Sequence, residues 1–144
     1  MSINRLAVNS RKVFVLNSRL NAIKWRTICT TNSLKDIFKI QDENDFKDKV
    51  LNNKNVVIVD FHATWCGPCK LLKPRLETII GANSGKGLDL AEVDVDENET
   101  IASQYQVTSV PTVFAMSGGK IVDQFIGLKD EDQLRAFVGK ALKE

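Results

Sequence analysis

The sequence predicts an α/β protein in which a central mixed β-sheet is flanked by helices on both faces. Strand-like and helix-like stretches alternate from Leu34 onward, as they do in parallel βαβ units. The continuous β-branched run Val56–Val59 is typical of a strand buried on both faces. Near the end of the chain, two strand-like stretches are joined by the short turn Ser117–Lys120, which predicts an antiparallel hairpin.

The first half of the domain is expected to contain two strands and two helices. Phe38 and Ile40 indicate a short first strand, and Asp42 can cap a helix that continues to about Asn52. After a polar turn and the buried strand, a long helix has apolar residues at helical spacing until Gly81 ends the pattern. Its apolar positions are Leu71, Leu72, Leu76, Ile79 and Ile80.

The second half adds three strands and two helices. A third strand is expected at 88–95, and residues 98–105 indicate a short helix. The hairpin strands 112–116 and 121–126 follow, and Asp130 can cap the final helix. The apolar stripe of that helix consists of Leu134, Phe137, Val138, Ala141 and Leu142. The predicted element order is therefore βαβαβαββα.

The charge of the chain is divided between two unlike regions. The 144 residues have a formal net charge of +2, but six of the 20 basic residues lie in residues 1–34, where there is no acid. The remainder has 14 basic and 18 acidic residues, a net charge of −4. This mildly acidic domain argues against a nucleic-acid partner. Because no apolar run approaches the roughly 20 residues that span a bilayer, we expect no membrane segment.

Residues 1–30 have the composition of a mitochondrial transit peptide: basic, rich in hydroxyl groups and free of acids. Arg11, Lys12 and Arg19 interrupt the uncharged stretches, which argues against a secretory signal, whereas a basic tail without a targeting role stays open. We predict a transit peptide over approximately 1–30, a folded domain over 31–144, and a monomer in the mitochondrial matrix. Cys29 lies in the leader and is interpreted as a stray thiol.

Two cysteines, Cys66 and Cys69, lie three positions apart where the buried strand is followed by the long helix. Cys66 would face the unpaired N–H groups and the positive end of the helix dipole, which favour a thiolate, the attacking species in thiol chemistry. Cys69 is expected to be more deeply buried. Pro68 costs little in the first turn, because its missing N–H has no helical partner there. The pattern predicts a redox-active dithiol.

Two other interpretations of the cysteine pair are weaker. A zinc site commonly needs four protein ligands, and the chain has one Cys-X-X-Cys, one His and no second pair. A structural disulfide suits an exposed loop beside Trp65 poorly. The sequence also has no Gly-X-Gly-X-X-Gly and no P-loop, so we predict redox catalysis without a metal or a bound cofactor.

The segment 59–70, Val-Asp-Phe-His-Ala-Thr-Trp-Cys-Gly-Pro-Cys-Lys, closely resembles the signature of the thioredoxin family, and the resemblance covers about residues 36–144. Pro74 matches the family's helix kink, and residues 110–112 match its cis-proline loop. Gly118-Gly119-Lys120 and Gly127 match its last hairpin. His62, where bacterial members usually have an aromatic residue, makes the animal mitochondrial members the most similar. The resemblance implies the thioredoxin fold.

The resemblance also implies a role for each of nine residues. In the catalytic group are Cys66 as nucleophile, Cys69 as resolving thiol, Asp60 as general base, and the intervening Gly67 and Pro68. Substrate contacts are implied for Trp65, Val110, Pro111 and Gly127. An acid at the end of a buried strand is costly, and burial would raise its pKa toward working pH, as a base requires. A strand-end Asp turned to solvent is the alternative.

Three charged or titratable residues near the motif have less definite roles. Glu92 departs from bacterial members, which commonly have Lys at this position, and this leaves the tuning of Asp60 open. Lys70 and Lys73 are interpreted as a solvated helix face, with stabilisation of the thiolate or contact with acidic partners as the alternative. His62 is interpreted as structural.

The implied function is reduction of protein disulfides through a reversible Cys66/Cys69 exchange that supports mitochondrial redox homeostasis. An NADPH-dependent thioredoxin reductase would recycle the pair, and peroxiredoxins are expected among the client proteins. Gly67-Pro68 resembles the reducing members, whereas isomerases typically have Gly-His between the cysteines. An oxidase or isomerase is therefore one alternative. A binding module without turnover is another, although it would need neither the cysteine pair nor Asp60 and Pro111.

Overall fold

The computed structural model describes residues 37–143, and within that range the chain forms one five-stranded sheet. The strands lie side by side in the order β1-β3-β2-β4-β5. β1, β2 and β3 are parallel, and β4 is antiparallel to both β2 and β5. Their bounds are β1 Ile37–Lys39, β2 Val56–His62, β3 Leu88–Asp94, β4 Thr112–Ser117 and β5 Lys120–Ile126. The predicted mixed sheet and terminal hairpin are confirmed.

Four helices connect or follow these strands in the described range: α1 Glu43–Phe46, α2 Gly67–Ala82, α3 Glu99–Gln104 and α4 Glu131–Ala141. α1 continues as a π-helical turn, Lys47–Leu51, so the predicted first helix is a composite of two kinds of helical turn.

The predicted helix ends agree with the structure at two caps and differ at Gly81. Asp42 Oδ1 accepts a hydrogen bond from the amide of Asp45 at 2.8 Å, and Asp130 forms a capping box with Gln133. Gly81, however, lies inside α2, which ends one residue later. The short helix predicted over 98–105 is observed as α3, with Asn98 at its N-cap position; the side-chain amide of Asn98 makes no capping hydrogen bond and donates to the carbonyl of Asp94 at 3.1 Å.

The core is split by the sheet into two layers. We call the layer beneath α1 and α3 the α1/α3 face and the other the α2/α4 face. The side chains of β2 are buried alternately in one layer and in the other, since successive side chains of a strand point to opposite sides. Leu71 is 55% exposed, so its assignment to the core was wrong. The buried residues of α2 are Cys69, Leu72, Leu76, Ile79 and Ile80.

Three predictions made from the leader lie outside the described residues: the transit peptide over 1–30, the boundary of the domain near residue 31, and Cys29 as a stray thiol. Within residues 37–143, none of the helices has both the length and the apolar character needed to cross a membrane.

Candidate active site

The two cysteines lie where β2 leads into α2, at the end of the sheet. Cys66 is the N-cap residue of α2, and its sulfur accepts a hydrogen bond from the amide of Cys69 at 3.2 Å. The two residues are joined by a disulfide bond, with their Cα atoms 5.4 Å apart. The predicted pairing is therefore confirmed. Because α2 is 16 residues long, its N-terminal N–H groups present a positive field to the Cys66 sulfur.

The cysteine pair is buried in a small apolar cluster of its own. Cys66 is 3% exposed and Cys69 is 4% exposed, and both pack with Ala63, Val95 and Val110. The prediction that Cys69 is the more deeply buried was wrong for this disulfide form, because the bond holds both sulfur atoms in the same cluster.

The loop that leads into β4 packs against the pair. The Val110–Pro111 peptide bond is cis, as the resemblance implied. Val110 packs against the cysteine cluster, and Pro111 is buried at the start of β4. The carbonyl of Pro111 accepts a hydrogen bond from the amide of Gly127 at 2.8 Å. Gly127 has φ +86, a conformation that favours glycine, so the residue anchors this loop through its backbone.

Trp65 forms an exposed apolar surface beside Cys66. Its side chain is 69% exposed, which argues against a core role. The indole N–H donates to Asp96 Oδ2 at 2.9 Å, an interaction that the sequence analysis did not anticipate. Next to it lies an open groove of about 130 Å³ lined by Trp65, Val95, Val107, Thr108, Ser109 and Val110. The groove leads from the indole to the cis-proline loop.

Asp60 is on the same face of β2 as the start of α2, and it is 2% exposed. Its Oδ1 atom is buried without a hydrogen-bond partner. Burial, reinforced by the negative charge of Glu92 and opposed by the positive charge of Lys73, raises the pKa of Asp60 to about 7. The predicted burial and raised pKa are confirmed, and the alternative of a solvent-facing carboxylate is excluded.

Two of the charged residues near the motif, Glu92 and Lys73, form an ion pair that no local sequence pattern indicates. Glu92 is 4% exposed and lies opposite Asp60 in the register of β2 and β3. Lys73 reaches it from α2, with Nζ 2.7 Å from Glu92 Oε1. Lys73 thus contacts a buried carboxylate through a side chain that is itself 41% exposed, whereas Lys70 is exposed as expected. The ion pair escaped the sequence analysis because it joins residues 19 positions apart in the chain.

His62 is half-buried at the end of β2. Burial lowers its pKa, and the negative charges of Asp94 and Glu92 act in the opposite direction. Within residues 37–143, no three His, Cys, Asp or Glu side chains are grouped so that they could hold a metal ion.

Comparison with known proteins identifies the family. Residues 36–140 match the family model described as thioredoxin. The chain belongs to the thioredoxin family. It is 50% identical to the mitochondrial thioredoxin of Bos taurus over 117 residues, which is 81% of this chain and 70% of that protein. The mitochondrial thioredoxin of Mus musculus is 49% identical over the same shares.

Solved thioredoxin structures have the same fold. The thioredoxin of Malassezia sympodialis superposes with a TM-score of 0.66 at 34% identity, covering 72% of this chain and 89% of that one. A single-residue variant of Halobacterium salinarum thioredoxin gives a TM-score of 0.66 at 35% identity, covering 75% of this chain and 92% of its own.

Membership of the family establishes the class of reaction. The chain is a thiol-disulfide oxidoreductase, which reduces protein disulfides through the redox-active pair Cys66/Cys69. As a member of the thioredoxin family, it acts on disulfide-containing substrates and is recycled by thioredoxin reductase.

Proposed function

We propose that Cys66 is the nucleophile of the exchange. In the reduced enzyme its thiolate attacks one sulfur of a client disulfide, forming a Cys66–client bond and releasing the other client sulfur as a thiolate. The amide of Cys69, 3.2 Å from the Cys66 sulfur in the disulfide form, and the N-terminus of α2 stabilise the attacking thiolate. Gly67 and Pro68 provide the first turn of α2 that holds the two cysteines three positions apart.

Cys69 then resolves the mixed disulfide with Asp60 as its general base. Cys69 transfers its proton to the Asp60 carboxylate and attacks the Cys66 sulfur. The Cys66–Cys69 bond forms, the Cys66–client bond breaks, and the second client thiolate leaves. A carboxyl group with a pKa of about 7 is suited to accepting this proton near neutral pH.

Clients bind on the surface formed by Trp65, Val110, Pro111 and Gly127. Trp65 supplies exposed apolar area, Val110 packs against the cysteine pair, and Pro111 follows Val110 through the cis peptide bond. Gly127 acts indirectly, through the hydrogen bond that holds the cis-proline loop. Because the groove is open and largely apolar, it accommodates an extended segment of a client rather than a small molecule.

The protein works in the mitochondrial matrix as a monomer, with peroxiredoxins among its clients and an NADPH-dependent thioredoxin reductase as its electron donor. Residues 1–30 act as the transit peptide, and residues 31–144 form the mature domain. Support comes from the basic, acid-free composition of the leader and from the similarity to mitochondrial thioredoxins. Fusing residues 1–34 to a fluorescent reporter tests this, because a cytosolic reporter would refute the targeting role.

The buried Asp60, on the face of β2 that packs against the helix beginning at Cys66, is the observation that carries the proposal of a reductant. The test is the reduction potential of the pair, measured by equilibration against glutathione buffers. A value near about −270 mV, the reference figure for thioredoxins, supports a reductant. A value near about −180 mV, the figure for protein disulfide isomerase, overturns the direction of electron flow. A pair that does not cycle would leave only a binding module.

A further inference from the structure

Asp60 shares its buried position with a second carboxylate. Glu92 lies opposite Asp60 in the register of the parallel strands β2 and β3, where neighbouring strands are about 4.8 Å apart. The two residues are 2% and 4% exposed. The negative charge of Glu92 therefore opposes the ionisation of Asp60, and two buried carboxylates on neighbouring strands need a compensating cation if both are to be charged.

The compensating cation comes from α2, the helix that also holds the cysteines. Lys73 Nζ is 2.7 Å from Glu92 Oε1 and 3.8 Å from an oxygen of Glu77 on the solvent side. Burial acts against the charged form of Lys73, but its contact with Glu92, with smaller contributions from Glu77 and Asp60, outweighs this and raises its pKa. Lys73 therefore stays charged between the buried carboxylates and solvent.

We propose that the Lys73–Glu92 ion pair is a positioning device that sets the charge state of Asp60 and thereby the rate at which Cys69 resolves the mixed disulfide. The device rests on the proposed role of Asp60 as general base. Glu92 opposes ionisation of Asp60 and Lys73 favours it, so the two residues act on Asp60 in opposite directions. Neither residue touches the sulfur atoms, and both act through Asp60.

Other charged groups in the surrounding elements define the background against which this pair acts. On β4, the residue paired with Asp60 is the apolar Val113, so that strand adds no charge at this level. The remaining titratable or charged groups near the pair are Lys39 of β1, His62 of β2, Asp94 of β3 and Glu77 of α2. None of them contributes to the shift of Asp60, which is due to burial, Glu92 and Lys73.

The test follows the resolving step directly, in the full chain carrying Cys29→Ser so that only the active-site thiols react. The reduced enzyme is mixed with an aromatic disulfide whose thiolate leaving group is coloured. The first thiolate is released when Cys66 attacks, and the second when Cys69 displaces it from Cys66. The rate of the second phase is recorded by stopped flow between about pH 5 and 9, which covers the range where a general base near neutrality titrates.

Lys73→Met and Glu92→Gln are expected to move the pH midpoint of the second phase in opposite directions, each by about one unit. Without Lys73 the midpoint rises, because Asp60 loses an attractive charge. Without Glu92 it falls, because Asp60 loses a repulsive one. The double variant is expected to have a pH midpoint close to that of the parent protein. Lys73→Arg, which keeps the positive charge, is also expected to have the midpoint of the parent. Glu77→Gln, on the same helix and in contact with Lys73 only on the solvent side, is the matched control and leaves the midpoint unchanged.

The outcomes separate this inference from the role of Asp60 itself. Asp60→Asn should abolish the titration of the second phase; a retained midpoint would refute the general base and this device together. A second outcome is that Asp60→Asn abolishes the titration, but Lys73→Met and Glu92→Gln leave the pH midpoint unchanged or shift it in the same direction. That outcome refutes only the role of the Lys73–Glu92 pair. Circular dichroism confirms that each variant is folded, and the Glu92→Gln variant, which leaves no buried charge unpaired, keeps the test available if Lys73→Met does not fold.

Discussion

The two faces of the sheet differ in what they bury. On the α1/α3 face, β2 contributes Val57, Val59 and Phe61, all fully buried among apolar partners. Aromatic rings whose centroids lie 5.2 to 6.3 Å apart fill its centre, and they belong to Phe46, Phe61, Tyr105 and Phe114. Such rings stabilise the fold through buried area and edge contacts.

The α2/α4 face is apolar only over part of its length. Ile58 of β2 packs into its core, but two residues further along the same face the side chain is Asp60, with Glu92 beside it. This charge lies at the end of the sheet where the cysteines are. Adjacent residues of one strand, Asp60 and Phe61, therefore have different roles: Asp60 is the proposed general base and its burial costs stability, whereas Phe61 stabilises the core. The alternation of a β-strand keeps the two separate.

Removing the aromatic centre of the α1/α3 face should have the largest effect. Phe61→Ala is expected to lower the free energy of unfolding by about 3–5 kcal/mol, because a fully buried ring is lost and a cavity remains. Urea unfolding measures this change. The reduction potential of the folded fraction should be unaltered, with Phe61→Leu as the milder variant. A loss below about 1 kcal/mol would contradict the structural role assigned to this face.

Neutralising the acid on the other face should stabilise the protein in a pH-dependent way. The pKa of Asp60 is about 7 in the folded protein and 3.8 as a free side chain, so the folded state binds the additional proton between these values. Its contribution to stability is full below about pH 4 and is lost as the pH rises through about 7. Asp60→Asn should remove this loss, which amounts to about 4 kcal/mol at high pH.

Unfolding free energies of the parent and of Asp60→Asn, measured from about pH 4 to 8, check this sign. The difference between the two proteins should grow in favour of the variant as the pH rises. The same variant should resolve mixed disulfides more slowly by about 10²-fold, the usual value of a positioned base. Parallel stability curves would show that Asp60 does not titrate near neutrality.

Changes at the exposed surface should affect client binding more than folding. Trp65→Ala is expected to raise KM for a protein disulfide by about 10-fold, because exposed aromatic area is a common anchor in binding. Stability should change by less than about 0.5 kcal/mol. Asp96→Ala, which only releases the indole N–H, should raise KM by about 2-fold to 5-fold. Initial rates of insulin reduction test both, and an unchanged KM for Trp65→Ala would remove it from the client surface.

The smallest effect is expected for a solvent-exposed ion pair between α4 and β5. Lys140 Nζ lies 3.0 Å from Asp123 Oδ2, and the two side chains are 61% and 29% exposed. Lys140→Met should change the free energy of unfolding by less than about 1 kcal/mol, because water screens exposed pairs. Thermal unfolding at low and high salt measures this effect. A larger loss of unfolding free energy would show that the ion pair contributes substantially to the stability of the fold.

Much of the fold was predictable because the signals are local. The β-branched run identified β2, and the caps Asp42 and Asp130 were identified by their side chains. Errors arose where neighbours decide the outcome. Leu71 matches helical periodicity in sequence, yet it lies beside α2's buried stripe and remains exposed. Gly81 is a common stop signal, but nothing prevents it from continuing a helix for one further residue.

The site could be predicted in its chemistry but not in its electrostatics. The cysteine spacing, the acid at the end of a buried strand and the family motif identified the Cys66/Cys69 pair and Asp60. The contacts of Lys73 with Glu92 and of Trp65 with Asp96 join residues on separate elements, so their existence depends on how α2 and the loops pack. No local pattern in the sequence specifies such a distance.

The hydrogen bond between Trp65 and Asp96 has an entropic consequence. An exposed indole that rotated freely would lose that freedom each time a client bound, at a cost of about 0.5–1.5 kcal/mol for an ordered side chain. Because the indole N–H donates to Asp96 Oδ2 at 2.9 Å, the ring loses this freedom during folding instead. The affinity for a client is thereby increased without a larger apolar contact area. Release of the reduced client therefore does not require a larger contact to be broken. The proposed client surface can therefore bind a disulfide-containing client and still release the reduced client.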